Sequence, residues 1–191
     1  LVIGTGGFAS GPILFVASLF KIPTLIQEQN SYAGITNKLL AKYVDKICVA
    51  YDNMERFFPQ HKIIKTGNPI RKNIIETTAS IEKAKKDFKI ENNNLTVLVV
   101  GGSLGARTIN TSILNSLSIF KQEKLNLIWQ TGQYFSAIAV NAVKELGTDG
   151  ISTFSFIKNI ETAYKAADII ISRAGAIAIS ELCVIGKPVI L

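Results

Sequence analysis

Histidine, cysteine and long apolar runs are scarce in this sequence, and each scarcity excludes a class of protein or site. One histidine and two cysteines among 191 residues are too few for the ligand clusters that hold zinc. Cys48 and Cys183 lie in apolar stretches without C-x-x-C spacing, so we expect two reduced core thiols rather than a disulfide framework. His61 stands in a polar stretch and is expected at the surface. The sequence therefore predicts no metal site.

The longest apolar stretch, residues 12–20, is interrupted by Ser18 and is too short to cross a bilayer. No signal-peptide pattern is present. Leu1 enters a predicted strand at once, and residues 188–191 stop within another. We therefore expect the chain to be an internal piece of a longer protein.

Positive charge is distributed unevenly along the chain. The net charge is +7, and residues 1–90 carry 13 Lys and Arg against 7 Asp and Glu. Such an excess is typical of proteins that meet a phosphorylated substrate, an anionic membrane or nucleic acid. Aromatic residues are not interleaved with the basic ones, which argues against nucleic acid. We expect the lysines of one polar helix to form a solvated face: Lys83, Lys85, Lys86 and Lys89.

Short apolar segments alternate with helical patterns along the whole chain, which predicts an α/β fold with parallel sheets covered by helices on both faces. The predicted strands are residues 1–4, 23–29, 46–50, 62–65, 96–100, 126–130, 153–156, 168–172 and 188–191. Turn-forming and polar residues place a domain boundary after residue 71. We predict two domains of this class. They are residues 1–71 and 95–191, joined by a linker and connecting helix at 72–94.

Residues 96–107, with the sequence TVLVVGGSLGAR, form the most informative segment. The β-branched run predicts a strand buried on both faces, and Gly101, Gly102 and Gly105 leave room for a ligand against the backbone. Helical spacing follows, so the loop leads into a helix N-terminus, where anions bind. The segment lacks the Lys-Ser/Thr pair of a P-loop and the G-x-G-x-x-G spacing. A plain strand-to-helix turn is therefore the alternative.

The first glycine turn supports a second nucleotide hypothesis. Gly4, Gly6 and Ala9 match G-x-G-x-x-A after a strand. Glu28 ends the next strand about twenty residues on, as in dinucleotide-binding domains. An extra Gly7 makes the loop longer than a pyrophosphate turn needs. A dinucleotide-binding module is therefore the less favoured alternative.

Two charged residues near the end of the chain are candidates for ligand contact. Arg173 follows a predicted strand and could pair with a phosphate or with a structural carboxylate. Glu181 lies about two helical turns later. There it could accept hydrogen bonds from two adjacent sugar hydroxyls, or simply face solvent. Trp129 lies in a buried strand run and is predicted to be core.

Five ordered motifs carry a family resemblance: residues 4–12 (GTGGFASGP), 28–30 (EQN), 67–71 (GNPIR), 101–107 (GGSLGAR) and 173–181 (RAGAIAISE). Together they resemble the MurG family of N-acetylglucosaminyltransferases, which convert lipid I to lipid II in peptidoglycan synthesis. The resemblance implies the GT-B architecture, which has two Rossmann-like, doubly wound parallel-sheet domains, both of them incomplete in this chain. UDP-N-acetylglucosamine would be held mainly by the second domain. No metal or other cofactor is implied, because helix N-termini and arginines can stabilise a departing diphosphate.

The resemblance also implies roles for individual residues. Ser103 would meet the diphosphate, Ile157 would contact uracil through its backbone, and Glu181 would bind the ribose hydroxyls. The implied donor-binding set is Asn30, Arg71, Ser103, Ile157, Ala176, Ile177, Ala178, Ile179, Ser180 and Glu181, with supporting loop residues Gly6, Gly7, Gly101, Gly102, Gly105, Arg173 and Gly175. The catalytic base is implied to precede Leu1 and is not assigned. Glu28 is the lesser candidate within the chain.

The implied activity is inverting transfer of N-acetylglucosamine to the C4 hydroxyl of lipid I, by a peripheral protein at the cytoplasmic face of the bacterial inner membrane. The implied partners are the UDP-sugar donor, the lipid-linked muropeptide acceptor and the anionic membrane surface, and nucleic acid is not among them. We expect the basic first half to meet that surface near Leu19, Phe20 and Lys21. A UDP-N-acetylglucosamine epimerase-like enzyme of similar fold is the alternative, and this chain alone is expected to be inactive.

Overall fold

A computed structural model describes residues 1–77, 79–90, 93–147 and 149–191 of the chain. These residues form two compact units, Leu1–Pro69 and Ile70–Leu191, which we call unit 1 and unit 2. Part of the predicted linker, at residues 78, 91 and 92, lies outside the described residues. The assignment of residues 72–94 as a linker stays a prediction.

Unit 1 is a parallel sheet with strand order β1-β2-β3-β4. Its elements are β1 (Val2–Gly4), α1 (Ser10–Leu19), β2 (Thr24–Glu28), α2 (Ile35–Leu40), β3 (Lys46–Val49) and β4 (Ile63–Lys65), with short 3-10 helices at Met54–Arg56 and Gln60–Lys62. Leu14 from α1 packs with Ile26 and Ile47 from the sheet, and all three side chains are fully buried.

Unit 2 is a second parallel sheet, with strand order β7-β6-β5-β8-β9. Its helices are α3 (Lys72–Ile75), α4 (Ile81–Asp87), α5 (Arg107–Asn115), α6 (Leu117–Gln122), α7 (Ser136–Leu146), α8 (Ile160–Ala166) and α9 (Ala176–Ile185). Its strands are β5 (Thr96–Val100), β6 (Asn126–Gln130), β7 (Ile151–Phe154), β8 (Ile169–Ser172) and β9 (Val189–Ile190), and a 3-10 turn spans Gln133–Phe135.

Alternation along the strands of unit 2 fills a core on each face of the sheet. Leu98, Ile128 and Ile170 pack against α4 and α8 on one face. Val99 and Trp129 pack against α5, α6 and α7 on the other. A strand covered on both faces is apolar at consecutive positions, which is the pattern that predicted β5. The predictions of parallel α/β sheets and of a buried Trp129 are confirmed.

The strand predicted at residues 153–156 was misplaced by two residues. β7 is an edge strand, and its register pairs Ile151 with Leu127 and Phe154 with Gln130. Beyond Phe154 the chain leaves the sheet, and Phe156 is 55% exposed. Apolar content alone could not locate this strand, because an edge strand is only half-buried along its whole length.

Two predictions about side-chain environment were wrong. Cys48 is buried as expected, but Cys183 is exposed. It lies on α9, whose sides are almost equally apolar, so the sequence did not indicate which side faces the core. Among the lysines assigned to a solvated face, Lys85 is half-buried, with its Nζ 3.9 Å from Asp168 Oδ2. Lys83, Lys86 and Lys89 are exposed, as is His61.

Candidate functional site

The carboxyl-terminal edge of the unit 2 sheet gathers most of the predicted ligand residues. β5 pairs with β6 on one side and with β8 on the other, so the strand order reverses between β5 and β8. A reversal of this kind in a parallel sheet opens a crevice outside the carboxyl ends of the two strands, where ligands bind. The loops at residues 101–106 and 173–175 follow these two strands directly.

The loop at residues 101–106 joins β5 to α5. Gly102 and Gly105 have φ angles of 88° and 80°, which L side chains rarely adopt. A Cβ atom on Gly105 would also collide with the carbonyl oxygen of Thr131. Ser103 and Leu104 are exposed between the two glycines. The loop therefore holds Ser103 at the surface, just before the N-terminus of α5.

Helices α5 and α9 begin at this edge of the sheet without a side-chain cap. Their N-cap residues are Ala106 and Gly175, and in the described part of the chain no side chain accepts a cap hydrogen bond there. The first N–H groups of a helix have no intrahelical partner and carry partial positive charge. Two such termini that follow neighbouring strands can bind a group with two negative centres, such as a diphosphate. The first turns of α9 supply the predicted residues Ala176, Ile177, Ala178, Ile179 and Ser180.

Glu181 does not face solvent: it is only 3% exposed. Its Oε1 accepts from Arg71 Nε at 2.9 Å, and its Oε2 accepts from Arg71 Nη2 at 3.0 Å. This pairing raises the pKa of Arg71. Burial, and then the negative charge of Glu181, raise the pKa of Tyr164 to about 12. Because the Arg71 side chain is 57% exposed, its guanidinium can release the carboxylate to a ligand and return to water.

The other predicted residues of this edge differ in their environments. Arg173 is exposed, and among the described residues no carboxylate lies within ion-pairing distance of it. Ile157 is buried, and its backbone N–H donates to Gln130 Oε1 at 2.8 Å. Sequence reasoning missed Gln130. The available signal was a polar residue at the end of a buried strand, which is where parallel sheets bind ligands.

Unit 1 has a pocket of its own, with a volume of about 260 Å³. Residues 5–7, 28–30 and 34–37 line it, so Gly6, Gly7 and Asn30 are part of its wall. The pocket lies where β1 and β2 end and α2 begins. Like the edge of unit 2, it is placed where parallel sheets bind ligands.

Glu28 lines the unit 1 pocket and is 2% exposed. Its Oε1 accepts from the backbone N–H and the side-chain Nδ2 of Asn30, at 3.0 and 3.2 Å. Its Oε2 accepts from the Gly34 N–H and from Asn37 Nδ2, both at 2.9 Å. Burial alone would raise the pKa of Glu28, but these hydrogen bonds outweigh it and lower the pKa. Glu28 is therefore an ionised carboxylate that orders the loop after β2.

Helix α1 presents a broad apolar surface. The exposed fractions are 62% for Ile13, 48% for Val16, 64% for Leu19 and 75% for Phe20, and Lys21 follows at the end of the helix.

Within the described ranges, no helix combines the length and hydrophobicity needed to cross a bilayer. Nor do the described residues include three His, Cys, Asp or Glu side chains placed to hold a metal ion.

Comparison with known proteins identifies both units. Residues 1–49 match the model of the glycosyltransferase family 28 N-terminal domain, and residues 96–191 match that of the C-terminal domain. A Parabacteroides distasonis protein is 51% identical over 191 residues, 100% of this chain and 52% of that protein. It is named UDP-N-acetylglucosamine--N-acetylmuramyl-(pentapeptide) pyrophosphoryl-undecaprenol N-acetylglucosamine transferase. The chain spans about half the length of the curated relatives it matches.

Solved structures agree with the family match. The crystal structure of Acinetobacter baumannii MurG is 31% identical, with a TM-score of 0.64, and the match covers 96% of this chain and 49% of that one. A UDP-GlcNAc 2-epimerase from Neisseria meningitidis has a TM-score of 0.68 at 15% identity, over 98% of this chain and 57% of that one. At that identity the epimerase shows a shared fold alone. The predicted fold class, two Rossmann-like halves of the GT-B kind, is confirmed.

Proposed function

Because the chain belongs to glycosyltransferase family 28, we propose that the protein containing it transfers N-acetylglucosamine from UDP-N-acetylglucosamine to the C4 hydroxyl of lipid I, making lipid II. The observation that carries this proposal is the pair of uncapped helix N-termini at the edge of β5 and β8, with a buried glutamate on the second helix. They offer charge stabilisation for a diphosphate and a bidentate acceptor for a sugar diol.

The donor is proposed to lie along the carboxyl edge of the unit 2 sheet. Ser103, the 101–105 glycine loop and the N-terminus of α5 would hold the diphosphate, together with Arg173 and Gly175. The backbone of Ile157 would meet uracil, and Glu181 would accept hydrogen bonds from the ribose hydroxyls. Asn30 and Arg71 complete the proposed donor set. Residues 1–71 would belong to the acceptor and membrane domain and 95–191 to the donor domain, with 72–94 connecting them.

The proposed reaction is a single displacement. The acceptor hydroxyl attacks the anomeric carbon of N-acetylglucosamine, the bond from that carbon to the diphosphate oxygen breaks, and UDP leaves with the electron pair. Helix N-termini and arginine guanidinium groups would stabilise the charge that develops on the diphosphate. The hydroxyl proton passes to a base that we do not assign. A base needs a free lone pair and a pKa near the working pH, and Glu28 has hydrogen bonds on both oxygens and a lowered pKa.

The donor site is tested by calorimetric titration of the full-length gene product with UDP-N-acetylglucosamine, without added metal, and with NADH. We expect binding of the uridine nucleotide and none of NADH. Glu181→Ala should weaken binding about 10- to 100-fold, because charge-assisted hydrogen bonds to the ribose are lost. Glu145→Ala, at an exposed position of α7, is the matched control. Binding of NADH in place of the uridine nucleotide would overturn the proposal.

A product assay separates transfer from epimerisation. The full-length protein is incubated with UDP-N-acetylglucosamine, with and without a lipid I analogue in detergent. We expect UDP release that requires the acceptor, and a disaccharide product. Formation of a C2 epimer of the sugar nucleotide without acceptor would favour the epimerase alternative instead.

Membrane contact through α1 is the second part of the proposal. An exposed apolar helix surface that ends in a lysine can insert shallowly into an anionic bilayer, and such a surface would hold the protein at the cytoplasmic face of the bacterial inner membrane. Phe20→Glu with Lys21→Glu should abolish cosedimentation with phosphatidylglycerol vesicles. Tyr134→Glu with Lys144→Glu makes the same change in charge, again with loss of one aromatic ring, at exposed sites of unit 2 and should leave cosedimentation intact. Equal binding by both double variants would remove α1 from the contact.

A further inference from the structure

We propose that Gln130 is a positioning residue that fixes the glycine loop after β5 and the backbone of Ile157 in one geometry. This inference rests on the donor site proposed above. The loops that bind the diphosphate and the uracil base of the UDP-sugar would then be preorganised before the ligand arrives. Its side chain does not have to touch the ligand.

One buried amide group spans the two loops. Gln130 is 3% exposed and ends β6, which lies between β5 and β7 in the sheet. Its Nε2 donates to the Gly102 carbonyl oxygen at 3.0 Å, in the loop after β5. Its Oε1 accepts from the Ile157 N–H at 2.8 Å, in the loop after β7. The two ends of this planar amide group therefore fix the distance between the loop after β5 and the loop after β7.

The far end of the glycine loop packs closely against the backbone of residues 131 and 132. A Cβ atom on Gly105 would collide with the carbonyl of Thr131, and a Cβ atom on Gly132 would collide with the carbonyl of Leu104. The carbonyl of Thr131 is held in turn by Asn110 Nδ2 at 2.6 Å, and Asn110 Oδ1 accepts from Trp129 Nε1 at 3.0 Å. This close packing restricts the far end of the loop. At the near end, the Gly102 carbonyl oxygen accepts from Gln130 Nε2 and from the Gly105 N–H, both at 3.0 Å, and of these two only the Gln130 bond joins the loop to β6.

The chemistry of the side chain makes the inference testable. The site needs a donor on one side and an acceptor on the other, which an amide supplies at every pH. A glutamate in the same place keeps the acceptor. It keeps the donor only when protonated, and burial raises the pKa of such a carboxyl group. When ionised, it would place an anion against the Gly102 carbonyl oxygen and distort the loop.

The experiment measures the dissociation constant of UDP for the full-length gene product at about pH 5.5 and about pH 8.5. Relative to the unmodified protein at the same pH, we expect Gln130→Glu to bind within about 3-fold at the lower pH and about 30-fold more weakly at the higher. Gln133→Glu makes the same change at an exposed position three residues away and should follow the unmodified protein at both. A role in folding alone would lower thermal stability without this pH-dependent recovery of affinity.

Each outcome bears on a different claim. If Gln130→Glu follows the unmodified protein at both pH values, the inference fails while the proposed function stands. If the unmodified protein does not bind UDP, the proposed function fails first. If the variant does not fold, residue-resolved hydrogen exchange of the unmodified protein decides. The Ile157 amide should be protected without ligand, and fast exchange there would overturn the inference.

Discussion

Glu28 and Glu181 are the same residue type at nearly the same burial, 2% and 3% exposed, yet the two units hold them differently. In unit 1, backbone and amide donors from the following loop and α2 hold Glu28 on both oxygens. In unit 2, one guanidinium from a residue 110 positions away holds Glu181 on both oxygens. Backbone donors cannot leave without unfolding the loop, whereas an exposed arginine can. Burial therefore does not decide whether a carboxylate is structural or available to a ligand; the mobility of its partners does.

The largest effect should come from the glycine loops of the two units. Gly105→Ala should lower the free energy of unfolding by about 3 kcal/mol or more, because it adds a backbone collision to an unfavourable φ. Gly7 has a similar φ of 79°, but a Cβ there would meet no described atom within 4 Å. Gly7→Ala should therefore cost only about 1 kcal/mol. Urea unfolding of both variants measures the difference, and equal losses would contradict the loop contact with Thr131.

The two glutamates can be compared directly by amide substitution. Glu28→Gln should cost about 2 kcal/mol, because its new NH₂ group would face donors and leave them unpaired. Glu181→Gln should cost less than about 1 kcal/mol, because Arg71 can turn to solvent. Urea titration again gives both values. A larger loss for Glu181→Gln than for Glu28→Gln would show that the partner of Glu181 is the less replaceable one.

Acid should remove the stabilisation that ionised Glu28 gives to unit 1. The pKa of Glu28 is lower in the folded chain than its ordinary value of 4.5, so its ionised form stabilises the fold at neutral pH. That stabilisation is lost as the pH falls below the ordinary value and through the folded pKa. The Glu28→Gln variant should therefore show a shallower loss of stability below about pH 4.5 than the unmodified protein. Asp45, whose pKa is lowered by hydrogen bonds from Thr24, should keep part of the acid sensitivity. If the stability of the variant and of the unmodified protein fell equally below about pH 4.5, the result would contradict the hydrogen bonding of Glu28.

The smallest effect should come from an ion pair with two exposed partners. Lys65 Nζ lies 2.7 Å from Asp52 Oδ1, with exposed side-chain fractions of 59% and 70%. Asp52→Asn should change the free energy of unfolding by less than about 0.5 kcal/mol, because water screens both charges. Thermal unfolding against the unmodified protein measures this. If Asp52→Asn lost as much stability as Glu28→Gln, solvent exposure would not explain why the two carboxylates differ in their contribution to stability.

Local patterns predicted the fold and the position of the loops well. The consecutive apolar residues of β5 and β6 are what a strand buried on both faces requires, so these strands and Trp129 could be read directly. The edge strand β7 and the exposed Cys183 could not. Their burial depends on which neighbours cover them, and a uniformly apolar helix such as α9 carries no signal of its orientation.

The sequence by itself determined the α/β class, the glycine loops that follow strands, and the ordered motifs that mark the family, because each of these depends on residues near one another in the chain. Only the tertiary structure decided that Arg71 holds Glu181, that Gln130 joins the loops after β5 and β7, and that Glu28 is occupied on both oxygens. Hydrogen bonds depend on distances of about 3 Å. Strand order and register bring residues that are far apart in the chain to that distance, and the local pattern of residues does not reveal it.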